Sequence, residues 1–397
     1  MGFEKLKNES DLHIMGTYSR FPVCIVEGNG AVAVSDEGKE YIDFGSGIGV
    51  NSLGYCDKDW SGAVAKQAAL LQHTSNLYYT KPQVAVAKKI VSKSGLNKVF
   101  FCNSGAEANE CAVKVARKYA FDKYGAGRNK IITLKNSFHG RTVTTLSATG
   151  QDVFHNYFFP FTEGFDYAIA NDFQDTVSKL DDSVCAVFLE LVQGEGGVVP
   201  LDKNYVKELY DYCCDNDILF MVDEVQTGIG RTGTLFCFEQ YGILPDVITL
   251  AKGLGGGLPI GACVTGHKAA DVLTSATHGT TFGANPVCCA AAECVLNKID
   301  SDFLNDIRKK SEYMFSKIKQ MPGVSRVRGL GMMMGIELES GDSKSVVSEC
   351  LNNGLLVLTA KMALRLLPPL NISWDELERG INILGSVLTK LFAWKKV

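Results

Sequence analysis

Four short segments carry residue types that do chemistry, and each follows a short apolar run. Asn103-Ser104-Gly105-Ala106-Glu107 follows the run at 99–102 and opens a helical pattern. Ser104 stands where an N-cap belongs, with Glu107 three residues on as in a capping box. Gly105 permits close backbone approach, and the amides of a helix start bind anions, phosphate above all. Lys135-Asn136-Ser137-Phe138-His139-Gly140-Arg141 follows the run at 131–134. Phe138 suits stacking on a planar ring, and Arg141 suits a two-pronged grip on a carboxylate. His139 reads as a structural hydrogen-bonder. Asp223-Glu224 follows the run at 218–222. A carboxylate at the end of a buried strand needs a partner, and a protonated ring nitrogen of a cofactor is one. Lys252 follows the run at 247–250, and a lysine in apolar surroundings loses its charge readily, which suits Schiff-base chemistry.

Each segment has an ordinary alternative when taken singly: a helix cap, a surface loop, a sheet-end cap, or a lysine reaching out to solvent. The glycines after Lys252 resemble a dinucleotide loop only weakly, because Pro259 comes before any helix. The elements that must position these residues favour a shared site. From about 55 to 290, apolar runs of strand length (99–102, 131–134, 185–191, 218–222, 247–250) alternate with helical patterns such as 106–119 and 203–215. That order implies an α/β fold with a mainly parallel sheet flanked by helices, where ligands bind beyond the carboxyl ends of the strands. An anchor for phosphate, a ring-stacking aromatic, a strand-end acid and a strand-end amine at one sheet edge are together what pyridoxal phosphate needs. Residues 20–45 read as a small antiparallel meander with turns at 28–30 and 36–38. Beyond 295, a helix at 303–320, strands at 332–338 and 355–358, and a helix from Trp374 read as a second, smaller α+β unit. The expected division is 1–54 joining the small unit, 55–290 as the large cofactor-binding domain, and 291–397 as the small domain.

Composition narrows the function classes. The chain has 397 residues, 46% apolar and 21% charged, with a net charge of −4, so a large ordered core is expected. The near-balanced charge argues against nucleic acid as the main partner. No 18-residue apolar run is present, so no membrane span is expected. The N-terminus lacks a signal-peptide core. The 13 cysteines are scattered, odd in number and mostly within apolar runs, as in a reducing cytoplasm. Cys213-Cys214 and Cys288-Cys289 are adjacent rather than spaced for a metal, and no metal site is assigned.

Six motifs in order identify a family resemblance: NSGAEANE at 103–110, SFHGRT at 137–142, VQGEGG at 192–197, VDEVQTGIGRTG at 222–233, LAKGLGGGLPIGA at 250–262 and HGTTFGANP at 278–286. With flanking matches from 16–23 to 364–370, the chain resembles the ornithine/acetylornithine branch of the fold-type I pyridoxal-phosphate aminotransferases nearly end to end. The resemblance implies a seven-stranded sheet, ping-pong transfer through the cofactor and a homodimer with composite sites. It implies Lys252 as the Schiff-base lysine, Asp223 as partner of the pyridine nitrogen, Gln226 at the ring hydroxyl and Phe138 stacked on the ring. Ser104, Gly105 and Ala106 would hold the phosphate, joined by Thr281 from the other subunit. Arg141, with Tyr18 nearby, would take the substrate α-carboxylate. Glu195 and Arg365 would form a switch, paired for the amino donor and parted for 2-oxoglutarate.

Within the branch, the His at 139, Ile48 in place of a Tyr, and the stretch 73–79 favour N-acetylornithine as donor, hence a step of arginine biosynthesis. If Ile48 faces the distal end of the substrate, it suits a neutral amide better than an ammonium. The alternatives are other ω-amino donors: ornithine, succinylornithine, succinyldiaminopimelate or 4-aminobutyrate. Tyr55 and Asp57, each in place of a His, and Leu191 and Ala284 depart from the branch's pattern. The last would strain its loop if the position needs a positive φ.

Overall fold

The computed structural model describes residues 2–339 and 342–392. Its N-terminal meander consists of β1 (Ile25–Asn29), β2 (Val32–Ser35) and β3 (Glu40–Asp43). The large sheet follows, with β4 (Lys98–Cys102), β5 (Lys130–Leu134), β6 (Phe165–Ala168), β7 (Val184–Leu189), β8 (Leu219–Asp223), β9 (Val247–Leu250) and β10 (Gly261–Thr265). Its seven strands lie in the order β4-β10-β9-β8-β7-β5-β6. Strands β5 to β9 pair in parallel, and β10 runs against both of its neighbours.

The strands read as unbroken apolar runs because both faces are covered. With a period of two, Val187, Leu189, Phe220, Val222, Ile248 and Leu250 enter one core. Ala186, Phe188, Leu219, Met221 and Val247 enter another on the opposite face. The helix Gly105–Tyr124 buries Cys111, Ala112, Val115, Ala116 and Tyr119, a stripe of helical period, in that second core. It runs five residues past the expected 119.

The chain ends meet in the smaller sheets. β3 pairs in parallel with Leu355–Leu356, with Ile42 opposite Leu355. A further sheet holds Val324–Leu330, Met333–Leu338, Ala363–Leu366 and Leu358–Ala360. Phe44 and Ile42 share a core with Met334, Ile336, Leu364, Leu384 and Leu388. The expected single strand at 355–358 is two strands in two sheets, broken at the buried Val357. The expected run at 185–191 is also too long, since β7 stops at Leu189 and leaves Glu190 at its carboxyl end.

Candidate active site

The carboxyl ends of β4, β5, β7, β8 and β9 lead to one cavity of about 460 Å³, lined by Ser104, Gly105, Ala106, Phe138, Arg141, Glu190, Glu195, Asp223, Gln226 and Lys252 among others. Its size is that of an ordinary small-molecule site. At one wall, Ser104 Oγ accepts the amide of Glu107 at 3.2 Å, capping the helix. Glu107 Oε2 in return accepts the amide of Asn103 at 2.6 Å. The amides of Gly105 and Ala106 lie in the helix's first turn, where no intrahelical carbonyl is available to them. A Cβ on Gly105 would meet Val225 Cγ1 at 2.6 Å, so only glycine lets this turn pack against the segment after β8.

Asp223 ends β8 and is 3% exposed. Its Oδ2 accepts from Asn109 Nδ2 and His139 Nδ1, both at 2.8 Å, and its Oδ1 accepts from the amide of Val225 at 3.0 Å. This bonding places a proton on His139 Nδ1. The imidazole stacks on Phe188 with centroids 4.5 Å apart. Beside them, Glu190 accepts from the amides of Phe138 at 3.0 Å and Gly194 at 3.3 Å. Burial pushes its carboxyl up to about 7, with His139 opposing the rise and Asp223 adding to it.

Lys252 lies two residues beyond the end of β9 and holds a left-handed φ of 43°. Burial lowers the pKa of its ammonium; Glu195 opposes the drop, and Arg365 adds to it. Its Nζ forms no ion pair or hydrogen bond among the described residues. Arg365 Nη1 meets Glu195 Oε1 at 2.5 Å, and the arginine is 3% exposed. Gln226 packs over Gly194, where a Cβ would come within 2.5 Å of Gln226 Oε1, and that oxygen is buried without a partner among the described residues.

Residues 15–388 match the aminotransferase class-III family. The chain belongs to the class-III aminotransferases. It is 50% identical to the acetylornithine aminotransferase of Haemophilus ducreyi, over 98% of this chain and all of that one. It is 44% identical to that of Methanocaldococcus jannaschii, over 94% and 95% of the two chains. Among solved structures, it resembles the ornithine aminotransferase of Toxoplasma gondii with a TM-score of 0.94 at 30% identity, covering 98% and 96%. It resembles the N-acetylornithine aminotransferase of Stenotrophomonas maltophilia with a TM-score of 0.84 at 35% identity, covering 98% and 99%.

Class-III aminotransferases use pyridoxal phosphate, and the residues present fit it. The cavity offers the helix-start amides to an anion. It also offers an unpartnered amide oxygen on Gln226, an unpaired lysine, and a carboxylate held by three donors. Nine of the residues singled out from the sequence line the cavity, and Arg365 reaches it through Glu195. Three stand apart. Tyr18 is 75% exposed and Ile48 44% exposed; Ile48 lies at φ 65° in the turn Ser46–Gly49, and Val50 lines the cavity instead. Thr281 is exposed in the loop whose Thr280 Oγ1 accepts from Asn103 Nδ2 at 3.1 Å. Two contributors were not singled out as site residues, Asn109 and Glu190. His139 is the hydrogen-bonder expected, but its partner is the site's own aspartate. Of the departures, Tyr55 donates to Asp43 Oδ2 at 2.8 Å, the Leu191 carbonyl accepts from Tyr241 Oη at 3.1 Å, and Ala284 does hold a positive φ, 59°.

Proposed function

We propose that this chain transfers the δ-amino group of N-acetylornithine to 2-oxoglutarate, giving N-acetylglutamate semialdehyde and glutamate, as a cytoplasmic step of arginine biosynthesis. The observation that carries the reading is a pair of arginines, Arg141 in the cavity lining and Arg365 bonded to the lining Glu195. Arg365 is masked by Glu195, while Arg141 has no carboxylate partner among the described residues. One open and one masked cation suit an enzyme that alternates between a donor with one carboxylate and an acceptor with two. The names and identities of the relatives support the acyl donor over ornithine, which remains the second reading because the ornithine enzyme's backbone is at least as similar.

When bound, the cofactor supplies the carbonyl that takes up the amine and the ring that accepts electrons from the Cδ–H bond. The chain's residues do the rest. Arg141 grips the substrate α-carboxylate and so orients the δ-carbon. Lys252 Nζ, its positive charge disfavoured by burial, takes the Cδ proton as general base. Asp223, held by three donors, would serve as the partner of the ring nitrogen. Ser104, Gly105 and Ala106 bind phosphate at the helix start. Gln226 would hold the ring hydroxyl, and Phe138 would cover the ring. Glu195 releases Arg365 when the second carboxylate of 2-oxoglutarate enters.

The same reading assigns the exposed apolar surface to a second copy. Leu77, Tyr78, Tyr79 and Phe282 are exposed. Asn76 Nδ2 donates to the Gly283 carbonyl at 2.8 Å, which ties the two segments into one face. A partner covering this face would receive Thr281 at its own phosphate site. The divisions at 54/55 and 290/291 belong to this proposal as well. No described helix is long and apolar enough to cross a membrane.

Steady-state kcat/KM with 2-oxoglutarate, measured for N-acetylornithine, N-succinylornithine, ornithine and 4-aminobutyrate, tests the substrate assignment. N-Acetylornithine is expected to lead ornithine by at least tenfold. Ornithine in first place would overturn the assignment and leave the family standing.

A further inference from the structure

Arg141 makes no ion pair and no side-chain hydrogen bond among the described residues, yet a free arginine at a cavity wall needs something to fix it. Two aromatic rings supply that. The guanidinium carbon lies 4.2 Å from the centroid of Phe154 and 5.6 Å from that of Phe138. The two rings meet edge to face, with centroids 6.1 Å apart. Phe154 is outside the cavity lining, so it acts through Arg141 rather than on the substrate. The short turn Asp152–Phe154 that carries it is itself tied down. Gln151 Nε2 donates to the Ser137 carbonyl at 3.0 Å, next to Phe138. The His155 ring nitrogen Nε2 lies 2.9 Å from the Leu146 carbonyl.

An aromatic face differs from a carboxylate as a support for arginine. It attracts the cation through its quadrupole and leaves all five N–H groups free. A carboxylate in its place would hold the side chain equally well and neutralise it. We infer that Phe154 is a positioning residue that sets selectivity for carboxylate-bearing donors, its ring holding the Arg141 guanidinium charged and unpaired at the cavity wall. This rests on the reading of Arg141 as the carboxylate grip.

The test compares N-acetylornithine with N-acetylputrescine, the same amine with hydrogen in place of the α-carboxylate. Holoenzymes of the wild type, Phe154→Leu, Phe154→Tyr and Arg141→Gln are assayed for kcat and KM with both donors. Arg141→Gln is expected to abolish the preference for N-acetylornithine. Phe154→Leu should lower kcat/KM for N-acetylornithine about fivefold, through KM, the size of a partly desolvated cation–π contact. It should leave N-acetylputrescine unchanged, and Phe154→Tyr should restore the wild-type values. An equal loss on both donors in Phe154→Leu, or no loss on either while Arg141→Gln still abolishes the preference, overturns the inference for Phe154 alone. A preference that survives Arg141→Gln overturns the reading beneath it, and this inference with it.

Discussion

Replacing Lys252 by alanine removes the amine that takes the substrate proton, so kcat should fall by at least about 10²–10⁴-fold. The donors on Asp223 stay in place in that variant, so its fold, followed by circular dichroism, should not change. Glu195→Gln tests the other charged pair. Without the carboxylate, Arg365 is no longer masked, so KM for 2-oxoglutarate should drop. A charge-assisted hydrogen bond is worth about 1.5–3 kcal/mol, and the half-exposed Glu195 reduces that, so a fall of about fivefold is expected in steady-state assays, with a slower donor half-reaction. At this scale much of the site was legible. Ser104, Phe138, Asp223 and Lys252 all stand just after apolar runs, where a parallel sheet exposes its ligand edge. Glu190 obeys the same rule but was hidden inside a run read as 185–191. Asn109 lies in the second turn of its helix, and its role depends on how closely β8 approaches, which no spacing along the chain encodes.

Two buried ionisable side chains, Arg231 and Glu224, hold the elements around the site. Arg231 Nη1 donates to the carbonyls of Met332 at 3.1 Å and Pro368 at 2.5 Å, joining the segment after β8 to the small sheet. Arg231→Leu leaves both carbonyls unsatisfied and should cost about 3 kcal/mol in urea unfolding. Glu224 accepts from Thr227 Oγ1 and the amides of Cys237 and Phe238. Burial still raises its carboxyl from 4.5 to about 7. The folded protein therefore holds a proton that the unfolded chain has lost. The stabilisation is complete below the unfolded value and disappears as pH rises through the folded one. Relative to Glu224→Gln, the wild type should lose about 1.4 kcal/mol per pH unit across that interval, read from urea midpoints. Long elements with strong periods were legible, the helix at 105 foremost. The edge strand β6 was not, because three half-buried residues followed by one buried residue carry no clear period. The break at Val357 was not either, because one apolar run there serves two sheets.

At the scale of the whole molecule, the exposed face around Tyr79 and Phe282 predicts a partner. Tyr79→Asp should shift the protein toward monomer in sedimentation velocity and lower its affinity for the cofactor, since each site would lose the other copy's Thr281. A monomeric wild type with full activity would contradict that arrangement. Discrimination of an acylated donor from a free diamine by this cavity is the property on which the substrate assignment rests. Its most direct measurement is a single-turnover trace of the cofactor-loaded protein mixed with N-acetylornithine or, in parallel, ornithine, following the visible absorbance of the bound cofactor. Rapid loss with N-acetylornithine and slow loss with ornithine is the predicted result. Rapid loss with ornithine and none with N-acetylornithine would contradict the account.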